Sequence, residues 1–230
     1  VRLADARPSD ADEDARRRTI IRDRLTLQAV PGLGGSAGED LLLYAATPTS
    51  RLSAVVGDVA PYWAHSWAGG LTLARYLADH PHAVAGLDVL DLGTGNGLVA
   101  LAAARAGARE VTGCDCDPWA IAAARLNAEA NGIAVSFLQG DVTAMPLPPA
   151  DVVLVGDLFY DTRLAQRILV LIDALVKTGT LVLVGDPGRR TFPLAHFHRI
   201  AAYTVSDFGS AAVNAGVYGV LQAPQPMGAQ

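Results

Sequence analysis

The sequence is poor in cysteine, in cations and in uninterrupted apolar runs. Its 230 residues hold two cysteines, Cys114 and Cys116. With a single residue between them they cannot bridge distant parts of a fold, so a disulfide framework is excluded. Cys-Asp-Cys without a second ligand pair also falls short of a zinc site, and no metal is expected. The thiols are read as packing or local-contact groups in a reducing compartment, the cytoplasm. Eighteen Lys and Arg stand against 23 Asp and Glu, a net charge of −5. That balance argues against a general nucleic-acid binder. No stretch of about 18 apolar residues escapes charges and breakers, so no membrane span is expected. The opening "VRLADARPSDADEDARRR" lacks the apolar core of a signal peptide. It starts on Val1 rather than Met, and the start is read as trimmed or incomplete.

What is present is a globular chain: 51% of residues are hydrophobic and 18% charged. The length suits one α/β domain with an extension. Residues 1–14 read as a polar, partly disordered leader. Residues 15–30 carry apolar residues at 20, 21, 25, 27 and 30, a roughly helical spacing. "PGLGGSAG" (31–38) breaks that helix. "EDLLLYAA" (39–46) reads as a short strand, and a loop with one further short strand follows. We take 1–60 as an N-terminal extension and 61–230 as the main domain. "PYWAHSWAGGLTLARYLADHP" turns from aromatic to helical, with Leu71, Leu73, Ala74 and Leu77 on its apolar face. From there strands are expected at 87–92, 109–114, 134–138, 151–156 and 179–185. Helices fall between them at about 96–107, 117–131 and 161–176. The alternation predicts an α/β fold of parallel strands joined by right-handed crossovers. A helix over "TFPLAHFH" and two strand-like runs, 199–206 and 212–221, complete the chain.

The stretch "VLDLGTGNGL" (89–98) carries the strongest local signal. A strand ending in Asp91 runs into a turn with Gly93, Gly95 and Gly97, then into a helix whose first N–H groups are expected to be free. In an open α/β sheet such a turn lies on the ligand-binding edge. A dinucleotide fingerprint needs G-x-G-x-x-G, but residue 98 is leucine. The acid before the first glycine would repel a pyrophosphate and could accept hydrogen bonds from an ammonium. The pattern favours a ligand with a cationic amino-acid end, as in S-adenosylmethionine. Asp115 follows 24 residues after Asp91, near the spacing at which an acid meets ribose hydroxyls. Asp141, after the third strand, is placed for the exocyclic amine of adenine. Asp117-Pro118 reads as a helix cap.

With these residues the chain resembles the class I, seven-strand S-adenosylmethionine-dependent methyltransferases over about residues 61–222. "PYWAHSWAGGLTLARYL", "VVLVGDLFYD" and "VLVGDPGR" are similar to the electron-transfer-flavoprotein β-subunit lysine methyltransferases and their bacterial relatives. That group carries an Asp-x-x-Tyr/Phe motif after the fourth strand, here Asp157-Leu158-Phe159-Tyr160. The resemblance implies a doubly wound, Rossmann-like sheet of seven mostly parallel strands, the last antiparallel. It implies S-adenosyl-L-methionine as cofactor, S-adenosyl-L-homocysteine as product, and a protein lysine as acceptor, with the electron transfer flavoprotein β subunit as partner. By position, Trp67 and Gly69 lie against the cofactor. Asp91, Gly93 and Gly95 form its amino-acid pocket, Asp115 holds the ribose, Asp141 with Val142 frame the adenine, and Thr94 and Cys116 are further cofactor-binding residues. Gly156 and Asp157 line the methyl-transfer end.

Asp157 could then orient the acceptor amine, while Phe159 and Tyr160 wall its channel by cation–π attraction. Bland readings stand beside these: Asp157 as a helix cap (though Asp161 is the better placed) and Tyr160 as a core ring. Asp186 and Arg189, after the fifth strand, would meet the protein substrate or pair with each other. His65 reads as a spacer rather than a base, and His196 and His198 as non-ligands. A monomer is expected. Competing functions are methylation of a small amine, of a heteroaromatic nitrogen or of a ribosomal protein. A different class, an NAD-dependent oxidoreductase or a non-catalytic nucleotide-binding module, is disfavoured by Leu98 and Asp91.

Overall fold

The computed structural model describes residues 9–34, 38–52, 60–206 and 212–221. Helix α1 spans Asp10–Arg24. Ser9 and Asp12 form a reciprocal capping box, with acids in the first turn and Arg22 and Arg24 in the last, which suits the helix dipole. The helix therefore starts inside the segment read as a leader, whose residues 1–8 lie outside the described part. It also ends earlier than its apolar spacing predicts. Leu25 turns extended, and Thr26–Val30 forms strand β1, paired antiparallel with β2, Leu41–Ala45. Cross-strand pairing overrides a weak helical period here. The further strand expected before residue 60 falls on 53–59, outside the described residues.

Helix α2 (Ala68–Asp79) precedes the alternating core. That core runs β3 (Asp88–Leu92), α3 (Leu98–Arg105), β4 (Glu110–Asp115), α4 (Pro118–Asn131), β5 (Ser136–Gln139), β6 (Val152–Gly156), α5 (Thr162–Lys177) and β7 (Leu181–Asp186). The expected helix after residue 190 is one 3-10 turn, Leu194–His196. Strand β8 (Phe197–Ser206) takes over there because Phe197 is buried against Phe192 and Phe159. Strand β9 spans Ala212–Val220. The seven strands order as β5-β4-β3-β6-β7-β9-β8. All pairs from β5 to β7 are parallel; β9, the last in the chain, is antiparallel to both neighbours.

Successive residues of one strand face different cores. Val152 and Leu154 pack under α2 and α3, while Val153 and Val155 pack under α5. Both faces are covered, which is why these strands are apolar throughout rather than alternating. Strands β4, β3 and β6 run parallel, so the ends Leu92, Asp115 and Gly156 come to one edge, and strand order reverses between β3 and β6. This is where a ligand crevice opens in such sheets. Among the described residues no helix is long and apolar enough to cross a membrane.

Candidate active site

All three glycines of the turn are left-handed: Gly93 at φ 67°, Gly95 at φ 54° and Gly97 at φ 85°. A Cβ on Gly93 would stand 2.5 Å from Leu158 Cδ2, and one on Gly97 would stand 3.2 Å from Ala124 Cα. At Gly95 the nearest atom is Gly93 O at 4.0 Å, so that side of the turn is open. The turn is held from inside by Asp91. Its Oδ2 accepts from Thr94 Oγ1 at 2.6 Å and from Ala100 N–H at 3.2 Å. Asp91 is 1% exposed. Burial pushes its carboxyl up to about 7; Thr94 and Ala100 pull it down, and Asp115 raises it further.

The helix start is not as free as its sequence suggests. Leu98 N–H donates to Asn96 Oδ1 at 3.2 Å, and Ala100 N–H is taken by Asp91. A helix N-terminus with two of its first donors engaged and a carboxyl beneath it is a poor place for a pyrophosphate. Asp115, at the end of β4, accepts from Gly95 N–H and Asp117 N–H, each at 2.9 Å. Burial holds its carboxyl above the ordinary range. Asp117 caps α4, accepting from Trp119 N–H at 2.8 Å.

Asp141 lies past β5 and is exposed. Its Oδ1 accepts from Thr143 N–H and Oγ1, and its Oδ2 pairs with Arg167 at 2.7 Å. These hydrogen bonds, Thr143 first and then Arg167, lower its carboxyl to about 2. Any ligand amine would share an oxygen already in use. Val142 beside it is buried. Cys116 is exposed and Cys114 buried, both as free thiols; burial, then Asp115, raises the Cys116 thiol.

The tryptophan segment closes over the turn. Trp67 caps α2, and its indole N–H donates to Tyr62 O at 2.8 Å. Asn96 Nδ2 reaches His65 O and Ser66 Oγ, each at 3.4 Å, and Asn127 Nδ2 donates to Asn96 O at 2.8 Å. Asn96 thus links the glycine turn to this segment. Sequence reasoning passed over it, although its place between two turn glycines was a usable signal.

The start of α2 lies directly on the ends of β6 and β7. A Cβ on Gly69 would fall 2.2 Å from Gly185 O, and one on Gly156 would fall 3.2 Å from Gly70 Cα. Beyond Gly156, Asp157 is left-handed at φ 58°, a conformation that Asp tolerates better than most side chains. Its Oδ2 accepts from Gly70 N–H at 2.7 Å, and its Oδ1 is paired with Arg189. Asp161 caps α5 through the N–H groups of Arg163 and Leu164, which leaves Asp157 no capping role there.

Two substrate-side expectations are corrected. Phe159 is 0% exposed and stacks edge-on with Phe192 and Phe197, so it is a core ring and not a channel wall. Asp186 is fully buried and binds its own loop, accepting from Gly188 and Arg189 N–H at 2.7 Å each. It is therefore not available to a protein surface. Tyr160, in contrast, is 57% exposed, with its ring 6.0 Å from that of Tyr62, which is 59% exposed. Tyr62 in turn lies 5.9 Å from Trp67. Partial burial, then Cys116 and Asp115, raises the Tyr160 phenol, so this ring lies within electrostatic reach of the β4 end. Tyr62 went unnoticed in the sequence.

The sheet order and the glycine turn define a Rossmann-like α/β fold with a ligand crevice at its strand ends, and residues 89–179 match the family described as a methyltransferase domain. The chain is similar to the electron transfer flavoprotein beta subunit lysine methyltransferases. Identity is 40% over 153 residues with that of Xenopus laevis, covering 64% of this chain and 62% of the relative. With that of Homo sapiens it is 39% over 153 residues, covering 64% and 58%. The chain thus spans about three fifths of the length of these relatives. A solved 16S rRNA N2 G1207 methyltransferase from T. thermophilus, in complex with AdoMet and guanosine, matches 86% of this chain and 50% of its own. Its TM-score is 0.54 and its identity 18%, a likeness of fold. The resemblance read from the glycine turn and "GDLFYD" is borne out.

Proposed function

We propose that the protein is an S-adenosylmethionine-dependent protein-lysine N-methyltransferase acting on the electron transfer flavoprotein β subunit. One observation carries the reading: the Asp157-x-x-Tyr160 segment is built onto the glycine turn. Leu158 packs where Gly93 has no side chain, and Asp157 reaches across to Gly70 of α2. A ligand seated along the turn would place its far end beside Asp157.

The residues present fit S-adenosylmethionine. The open side of Gly95 admits a close backbone approach. The dehydrated Asp91 carboxyl favours a cation nearby and disfavours an anion. Asp115 stands at the next strand end with oxygens that can accept further hydrogen bonds. We assign Gly93, Thr94, Gly95 and Asp91 to the amino-acid end, Asp115 and Cys116 to the ribose, Asp141 and Val142 to the base, and Trp67, Gly69 and Gly156 to the sulfonium side. The bound cofactor supplies an activated methyl group on sulfur.

The chain's own part is position and electrostatics. An acceptor lysine must arrive and lose a proton, and its ordinary pKa is about 10.4. Tyr62 and Tyr160 attract the incoming ammonium by their ring faces. Asp157 accepts its hydrogen bond and aims the lone pair after the proton leaves to solvent. Both rings stand more than half in solvent, which favours an acceptor side chain presented on a protein surface over a small amine enclosed in a pocket. Net charge −5 and free thiols suit a protein partner in a reducing cytoplasm. We keep the division at residue 60, with a monomeric enzyme domain after it.

Incubation with labelled S-adenosylmethionine and a cell extract tests the reading. The expected result is one dominant labelled protein, the electron transfer flavoprotein β subunit. Label in RNA, or only in small molecules, would overturn it.

A further inference from the structure

One short 3-10 turn, Tyr62–Ala64, faces two ways. Tyr62 is exposed, whereas Trp63 and Ala64 are buried. The Tyr62 ring stands 6.0 Å from that of Tyr160. The Trp63 ring lies flat on Trp119, the second residue of α4, with centroids 5.7 Å apart and planes 7° apart. Behind the turn meet elements that precede it in the chain. Ile21 of α1 and Leu25 just after it share one hydrophobic core with Trp63, Ala64 and, on α4, Leu126. Directly after β2, Ala46 N–H donates to Ala64 O at 3.0 Å. Helix α1 is fastened to α4 in turn, with Asp14 3.2 Å from Arg125 and Arg18 paired with Glu129. The outer side of the turn is pinned too, since Tyr62 O accepts from Trp67 Nε1–H at 2.8 Å and from His65 N–H at 3.3 Å. The backbone that carries Tyr62 is thus held by α1, β2 and α4. Neither α1 nor the β1–β2 hairpin falls within the matched residues 89–179.

We infer that α1 and the β1–β2 hairpin serve acceptor recognition: through Trp63 they hold the Tyr62 ring opposite Tyr160 at the mouth of the site. The inference rests on the reading of Tyr62 and Tyr160 as the rings that receive the acceptor ammonium. A ring attracts a cation only when its face lies within about 6 Å of the charge. An exposed ring on a loose turn would have to be ordered each time an acceptor binds, and a rigid backing removes that cost. Trp63 is buried beneath the rim and does not meet the acceptor. It is a positioning residue that acts through Tyr62.

The variants Trp63→Leu, Tyr62→Ala and their combination separate this from a general structural role. Tyr62→Ala raises the acceptor KM about fivefold. Trp63→Leu raises it by up to the same about fivefold, because it can lose no more than the Tyr62 ring supplies. In both, kcat and S-adenosylhomocysteine affinity stay within about twofold of wild type. The double variant matches Tyr62→Ala alone, since Trp63 has nothing left to position. Trp63→Phe, which keeps a flat ring on Trp119, holds the wild-type KM within about twofold. Ile21→Ala applies the same test from α1: KM rises about threefold, and not in the Tyr62→Ala background. Effects of Trp63→Leu or Ile21→Ala that persist without Tyr62 would overturn the inference, as would an equal loss of S-adenosylhomocysteine affinity. A second readout needs no methyl transfer. In S-adenosylhomocysteine-loaded protein, n-butylammonium should shift the Tyr62 ring-proton resonances, at about fivefold higher concentration in Trp63→Leu. Unmoved resonances in the wild-type protein contradict the inference. If the protein methylates no lysine while these resonances move in a Trp63-dependent way, the proposed substrate fails and the role of α1 and the hairpin stands.

Discussion

In the proposed reading Asp157 receives the acceptor amine, and its backbone limits how that role can be tested. Because φ is 58°, Asn is accommodated where Ala would add strain. Asp157→Asn should therefore fold, retain S-adenosylhomocysteine binding, and lose about 10²-fold in kcat/KM for the acceptor. Full activity in this variant would remove Asp157 from the acceptor site. Asp91 makes a different prediction. Its carboxyl is raised from 3.8 to about 7, mainly by burial, so the folded state holds this proton more tightly than the unfolded chain does. Its contribution to stability is therefore full below about pH 4 and is lost as pH rises to about 7. Thermal melts should show Asp91→Asn flattening that decline. A cationic amino-acid end beside Asp91 lowers its pKa again, so cofactor binding below about pH 7 should release a proton. Calorimetry in buffers of different ionisation enthalpy reads that release directly; no proton release at pH 6 would detach Asp91 from the ligand. Tyr160→Phe should keep acceptor KM within about twofold, and Tyr160→Ala should raise it about tenfold, since the ring face and not the hydroxyl does the attracting.

Among the elements, the strands of the central sheet were the most legible, because each is a short apolar run bounded by turn residues. Their ends were nearly as clear, since Asp91, Asp115 and Gly156 each stand at or next to the last residue of a strand. The N-terminal elements were harder to read. The hairpin of β1 and β2 is fixed by partners remote in sequence: Asn131 Oδ1 accepts from Leu42 N–H at 2.9 Å and Asn127 Oδ1 accepts from Tyr44 N–H at 2.8 Å. These two asparagines lie one turn apart on α4 and grip the open edge of β2. No local pattern around residues 26–45 records that. Asn127 also holds Asn96 in the glycine turn. Asn127→Ala should then cost about 1–3 kcal/mol in denaturant unfolding and also weaken S-adenosylhomocysteine binding. A stability loss with cofactor affinity untouched would separate the hairpin from the turn. Phe159 and Asp186 misled for a related reason. Each neighbours a proposed site residue in sequence, while the fold turns its side chain inward to the aromatic cluster or to its own loop.

At the scale of the whole molecule, the residues proposed to hold the cofactor stand out in the sequence because they are concentrated in one turn and at three strand ends. The proposed acceptor half is assembled from four separate segments: the aromatic stretch at 62–67, the start of α2, the end of β6 and the loop after β7. Its arginine shared by two acids, Arg189 between Asp157 and Asp186, exists only in the folded chain. The most direct measurement of the account is mass spectrometry of purified electron transfer flavoprotein β subunit after incubation with this protein and S-adenosylmethionine. The account predicts methyl mass increments on lysine side chains, absent without cofactor and strongly reduced with Asp157→Asn. An unmodified β subunit under conditions where the protein binds S-adenosylhomocysteine would contradict it.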